Sequence, residues 1–400
     1  MKNKTLIFII NSPIYWVLSG LLIIDGGDKK LVVLIIISLI ARIILTILNK
    51  KLPVLNLNIF NKSLLIISFY AILSYYTNGY SSSEIRVITS LTIYFTLINN
   101  KFNISEDYIS HYCLLLSSLI ILLMIINWGY LEDLGRGAWG VNAIPLANYT
   151  SILLITAVTI LSKVDIKINT IILTVSIVIL FICIIMSDTR GAWLALLLTI
   201  FTLFSLGKLS FPKLRIVSTL TTIAIAIAIA IAIATLIFLN TNIISERIIS
   251  TQNEIEKISE GNLHSSIGLR LQLWQVGYTI IKEEKPIFGS GQTAHLEKIE
   301  EMYSKGEISK SLYRFDNKNF HNEFIDRIIK YGLIGFLCIL LVLFTAILDS
   351  KNKIYKNGVI GIVIYTVVAG MTYLSLGSAI VFAAYITSVS VLNYNRKDAV

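Results

Sequence analysis

At 400 residues, with 55% hydrophobic and 14% charged side chains and a mean hydropathy of +0.77, the chain lies outside soluble composition, where about a quarter of residues are charged. A soluble enzyme is excluded, and an all-α integral membrane protein is expected, because each span must satisfy its own backbone hydrogen bonds in lipid. The net charge of +10 would suit a nucleic-acid partner, but the placement of the charges removes that reading.

A helix needs about 20 apolar residues to cross the hydrocarbon core. Apolar runs predict about twelve transmembrane helices, near residues 5–24, 31–48, 63–79, 85–98, 108–128, 140–161, 168–186, 191–207, 216–240, 329–348, 357–374 and 377–393. The opening Met1 to Lys4 with Thr5 to Leu22 has the charge pattern of a signal peptide but no convincing cleavage site, so it is read as the first span. Within the ninth, Ile223 to Ala234 alternates Ile and Ala strictly. In water that period would argue for a strand, but an isolated strand in lipid leaves its backbone unpaired, so helix is expected. Cys113, Cys183 and Cys338 each sit in an apolar run without metal-ligand spacing and are read as packing residues.

Residues 1–240 thus carry spans one to nine, 241–328 form one large polar loop containing helices, and 329–400 hold spans ten to twelve and a short tail. Lys and Arg in short loops are retained on the cytoplasmic side. With the N-terminus inside, sixteen fall on that side and five, Lys29, Lys30, Arg86, Arg136 and Arg190, on the other. Both termini are expected to be cytoplasmic and the large loop to face outward. The basic balance is then topological.

Three places carry candidate chemistry. Arg190 follows Ser187, Asp188 and Thr189 and precedes Gly191, Ala192 and Trp193. A helix starting there would put free N–H groups beside the guanidinium, an anion site; the other reading is an interfacial arginine paired with Asp188 beside a belt tryptophan. In the loop, Ser265 and Ser266 open an expected amphipathic helix with the stripe Ile267, Leu271, Trp274, Tyr278 and Ile281, lying on the membrane surface or over the spans. Arg270 beside that stripe is either a solvated boundary residue or a fork for phosphate. The turn Phe288-Gly289-Ser290-Gly291 could approach a ligand closely. His321, ahead of Asn322 and Glu323 where the loop re-enters the membrane, is either a helix-start histidine or a general base for a hydroxyl. Asp316, Glu323 and Asp326 are nearby carboxylates that could orient it or act themselves. His264 and His295 read as surface residues. The polar segments contain no nucleotide fingerprint, P-loop or HExxH pattern, and the spans lack the buried carboxylates of an ion-coupled transporter.

Three stretches together resemble one family. Ser187-Asp188-Thr189-Arg190-Gly191-Ala192-Trp193-Leu194, then Gly268-Leu269-Arg270-Leu271-Gln272-Leu273-Trp274 with Pro286-Ile287-Phe288-Gly289-Ser290-Gly291, then Phe320-His321-Asn322-Glu323 with Tyr331-Gly332-Leu333-Ile334-Gly335 are similar to the signatures of the bacterial O-antigen ligases and their polymerase relatives. The resemblance implies a GT-C-type glycosyltransferase at the periplasmic face of a Gram-negative inner membrane, needing neither metal nor other cofactor. It implies transfer of O-antigen polysaccharide from undecaprenyl diphosphate to a sugar hydroxyl of lipid A-core. Arg190 and Arg270 would hold the diphosphate and His321 would act on the acceptor, with inversion at the sugar. Asp188, Trp274, Gly289, Gly291, Asn322 and Glu323 would support them. The alternatives are an O-antigen polymerase, a protein O-oligosaccharyltransferase and, from another class, a lipid-linked glycan flippase, which would line a path through the bundle with its charges.

Overall fold

A computed structural model describes residues 2–50, 55–77, 79–98, 102–132, 140–164, 167–208, 248–284, 286–315, 319–350 and 352–393. Among these, every regular element is helical. The first eight helices are α1 (Lys2–Ser19), α2 (Gly27–Asn49), α3 (Ile59–Thr77), α4 (Ser82–Ile93), α5 (Tyr108–Ile126), α6 (Ala143–Leu161), α7 (Lys167–Met186) and α8 (Arg190–Ser205). Residues 248–259 form α9. The remainder are α10 (Ser266–Glu284), α11 (Ala294–Ser304), α12 (Lys310–Tyr313), α13 (Glu323–Asp349), α14 (Lys353–Gly370) and α15 (Ala379–Asn393).

Among the described residues, six helices are long and apolar enough to cross a membrane, namely α2, α3, α5, α6, α7 and α13, and α8, α14 and α15 contribute shorter apolar helices. The expected ninth span, with its Ile–Ala alternation, lies outside the described residues. The bundle is graded from lipid to core. On α2 the face carrying Val33, Ile36, Ile40 and Ile47 is exposed, an apolar surface whose solvent is hydrocarbon. α15 is buried on all sides from Val381 to Asn393, its small polar residues Thr387, Ser388 and Ser390 included, which places it inside the bundle.

The loop helices have a small core of their own. Leu273, Val276 and Ile280 of α10 meet Ile299 and Met302 of α11, Leu312 of α12, and Phe320 and Ile329. This corrects the expected stripe: Leu271 and Tyr278 are exposed, and the buried face runs through Gly268, Gln272, Leu273, Val276, Gly277 and Ile280. The apolar residues one position away from the expected stripe have partners in α11 to α13, so α10 is held by protein contacts rather than by the membrane surface alone.

α13 is broken at Gly332, where φ is 73° and ψ 177°. The break is filled by the loop's Pro286–Ser290 segment. Ser290 N donates to Ile329 O at 2.7 Å, Leu333 N to Pro286 O at 3.0 Å and Ile334 N to Ile287 O at 3.2 Å. Carbonyls and amides freed by the kink are therefore satisfied from outside the helix, as buried backbone requires. Gly289 and Gly332 face each other across this join, and a Cβ on either would overlap the other's strand of backbone. The expected close approach of the glycine turn is thus to backbone, and it fastens the loop to α13.

Candidate active site

Arg190 opens α8 directly after a tight turn in which Asp188 takes φ 51°. Thr189 occupies the N-cap position, but its hydroxyl donates to Ser187 O at 3.2 Å and Ala143 O at 3.4 Å, and no side chain caps the helix. The positive end of α8 is left facing a cavity. The Arg190 guanidinium turns across to α9, donating to Thr251 Oγ1 at 2.6 Å and Glu254 Oε1 at 3.1 Å. Its ion-pair partner is Glu254, not the adjacent Asp188 suggested by sequence. The second Glu254 oxygen accepts from Ile267 N at 3.1 Å, in the first turn of α10.

Arg270 comes into the same cavity from α10. The space is about 240 Å³ and is walled by Arg190, Thr251, Ser266, Arg270, Thr372 and Tyr373, with Ile144 and Asn148 of α6 below. Among the described residues Arg270 has no hydrogen-bond or ion-pair partner. Burial, with Arg190 alongside, presses its guanidinium below the ordinary value, and Glu254 and Tyr373 pull the other way. Two cations from segments eighty residues apart in sequence are held against their own repulsion, with one carboxylate between two arginines. An arriving anion relieves that repulsion.

His321 stands beside this cavity, its ring 5.4 Å from that of Tyr373 and 6.1 Å from that of Phe315. Its backbone is left-handed, with φ 47°, and three contacts hold it there. Trp274 Nε1 donates to Phe320 O at 3.0 Å, His321 N donates to Asn319 Oδ1 at 3.1 Å, and Asn322 Oδ1 caps α13 by accepting from Phe324 N and Ile325 N at 3.0 and 3.2 Å. A strained conformation that its surroundings over-determine is common where a side chain must be aimed. His321 is 9% exposed, and its Nδ1 has no partner among the described residues. Burial, and then the nearby Arg270, lower its pKa to about 4 against the pull of Asp326. The imidazole is neutral at neutral pH.

The carboxylates near it are otherwise engaged. Glu323 accepts from Arg327 Nε at 2.6 Å with one oxygen and from Leu376 N and Gly377 N at 3.0 and 2.9 Å with the other. Asp326 pairs with Lys330 at 2.8 Å, and Asp316 lies outside the described residues. Glu323 thereby fixes the turn between α14 and α15 that carries Thr372 and Tyr373 into the cavity wall. Arg327, 2% exposed, also donates to Glu84 Oε2 at 2.7 Å and Tyr80 Oη at 2.9 Å, tying α13 to α4. Gly291, with φ 89°, is buried in the turn after the join. His264 is exposed and bonds to Ser311, whereas His295 is 6% exposed against Phe320, which corrects its reading as a surface residue.

Sequence reading missed Thr251, Glu254, Thr372, Tyr373 and the Glu84–Arg327–Glu323 network. Glu254 sits in an ordinary run of charges, and Tyr373 in a short turn between spans. Only the turn's position at the same end of the bundle as Arg190 was a usable signal.

Two arginines and a buried histidine thus meet at one end of the helical bundle, beneath the loop helices, in an arrangement that could receive an anion. The family model described as O-antigen ligase matches residues 175–340, a segment that contains Arg190, Arg270 and His321. The chain is also similar to a protein of Haemophilus influenzae described as uncharacterized, at 26% identity over 163 residues, or 40% of this chain and 39% of that protein. It therefore aligns with about two fifths of that relative's length.

Proposed function

We propose that the protein is an O-antigen ligase of the Gram-negative inner membrane, with cytoplasmic termini and a periplasmic site, that moves O-antigen polysaccharide from undecaprenyl diphosphate to a sugar hydroxyl of lipid A-core. The observation that carries the reading is the convergence of Arg190 and Arg270 on one cavity beside His321. In the reaction the bond between the sugar's anomeric carbon and the diphosphate oxygen breaks as the acceptor oxygen bonds the same carbon from the opposite face. The diphosphate leaves with the electron pair and gains a negative charge. Two fixed guanidinium groups and the uncapped start of α8 stabilise that charge more in the transition state than before it. His321 takes the acceptor's proton. With the site empty its pKa of about 4 makes it a weak base; a bound diphosphate offsets Arg270 and raises its basicity when both substrates are present.

The charged residues of α4 and α13 gather at the end of the bundle that holds Arg190, which supports a surface-opening transfer site over a translocation path. The test is expression in cells that lack their own ligase but make lipid-linked O-antigen and core. The native protein restores a polysaccharide ladder on lipid A-core, and His321→Ala and Arg270→Ala abolish it while reaching the membrane in normal amount. Longer undecaprenyl-linked chains without a ladder would identify a polymerase instead, and loss of lipid-linked glycan translocation in the arginine variant would identify a flippase.

A further inference from the structure

The anion site already contains an anion. Glu254 places one carboxylate oxygen 3.1 Å from the Arg190 guanidinium and the other 3.1 Å from the Ile267 amide, so it spans the arginine and the first turn of α10 as a phosphate would. Thr251, one turn earlier on α9, takes the other Nη of Arg190 at 2.6 Å. The contact is not an apolar one: residues Ile248, Ile249 and Ile255 of α9 are exposed, and the stripe turned inward carries Ser250, Thr251, Glu254 and Ile258. α9 is thus docked by a polar, charge-bearing edge against the two-arginine cavity.

We infer that Glu254 tunes which diphosphates the site retains, by lowering its net positive charge so that the preference of two arginines for the spent lipid diphosphate over the glycan-bearing donor is narrowed. The inference rests on the donor reading given above. A donor diphosphate esterified at both ends carries two negative charges, and the diphosphate released by transfer carries three when fully ionised. Two arginines alone would favour the more highly charged species, trapping the product. A carboxylate at the same place penalises each ligand in proportion to its charge. At roughly 6 Å, even in a water-like dielectric, each unit of ligand charge is worth about a threefold change in affinity. Glu254 then weakens the donor by about tenfold and the product by about thirtyfold, and the difference cuts the site's preference for the product about threefold.

The experiment measures binding of farnesyl diphosphate and of its P2-methyl ester, which stand in for product and donor, to the purified full-length protein in detergent. In Glu254→Gln, affinity rises about tenfold for the diester and about thirtyfold for the monoester, with the thermal midpoint close to native. Thr251→Asp, which adds a second carboxylate against the same guanidinium, weakens both and the monoester more, so the charge rule remains readable if the first variant does not fold. Gains equal for the two ligands, or no gain in Glu254→Gln while Arg270→Ala still abolishes binding, would overturn the role of Glu254 and leave the transfer reading intact. Failure of the native protein to bind either ligand would overturn both.

Discussion

Replacing Arg327 by Met tests whether the buried charges of α4 and α13 hold the site together. Its guanidinium makes hydrogen bonds of 2.6 Å to Glu323, 2.7 Å to Glu84 and 2.9 Å to Tyr80, and lies 4.9 Å from the centre of the Tyr331 ring. Met fills much of the volume but leaves Glu84 and Glu323, 4% and 1% exposed, without their cation. Removing one partner of a buried pair costs about 3–5 kcal/mol, most of it the uncompensated charge left behind. Adding Glu84→Gln in the same chain removes one of the two stranded carboxylates and recovers about 1–3 kcal/mol, a coupling within the usual range for contacting residues. Unfolding in detergent, followed by tryptophan fluorescence across denaturant, measures both variants. The reasoning is refuted if Arg327→Met unfolds within about 0.5 kcal/mol of native, or if the double variant is no more stable than the single one. Because Glu323 also holds the Leu376 and Gly377 amides, the proposed transfer activity falls as well, even in protein that remains folded.

Protonation of His321 gives a second expectation. Its folded pKa of about 4 lies below the 6.5 of the unfolded chain, so between those values the unfolded state binds the extra proton and stability falls as pH is lowered from about 6.5 to 4. The loss approaches about 3 kcal/mol and levels off below that window; His321→Gln flattens the slope, and an unchanged slope in that variant would place the titration elsewhere. Gly332→Ala forces a Cβ onto a residue at φ 73° and into the Ile287 and Gly289 backbone. Loss of the three hydrogen bonds at the join, about 1 kcal/mol each, with about 1–2 kcal/mol of backbone strain, destabilises by about 4–5 kcal/mol. Hydrogen exchange at Ser290, Leu333 and Ile334 reads whether the join is what was lost, and native protection there would refute it.

Period and composition were enough for much of this protein, because a membrane imposes one rule along the whole chain: apolar length makes spans, and polar backbone must pair within a helix. Arg190, Arg270 and His321 could be picked out as candidates from the sequence, Arg190 because the positive-inside bias disfavours an arginine on that side and the other two through the motifs around them. The face of α10 was not. Apolar residues occupy more than half its circumference, and only the neighbours α11 to α13 decide which of them are covered. The glycine pair was visible as punctuation, but its meaning lay in a join between residues forty-three positions apart in sequence.

The amino-acid order by itself determined that this is a helical membrane protein with a polar loop and three separated candidate residues, because hydropathy and residue type are properties of short segments. Tertiary structure alone decided that Arg190 and Arg270 share a cavity, that Glu254 sits between Arg190 and α10, and that the carboxylates after His321 are bound to Arg327 and Lys330. Charge interactions depend on distance and burial, and a chain states neither until it has folded.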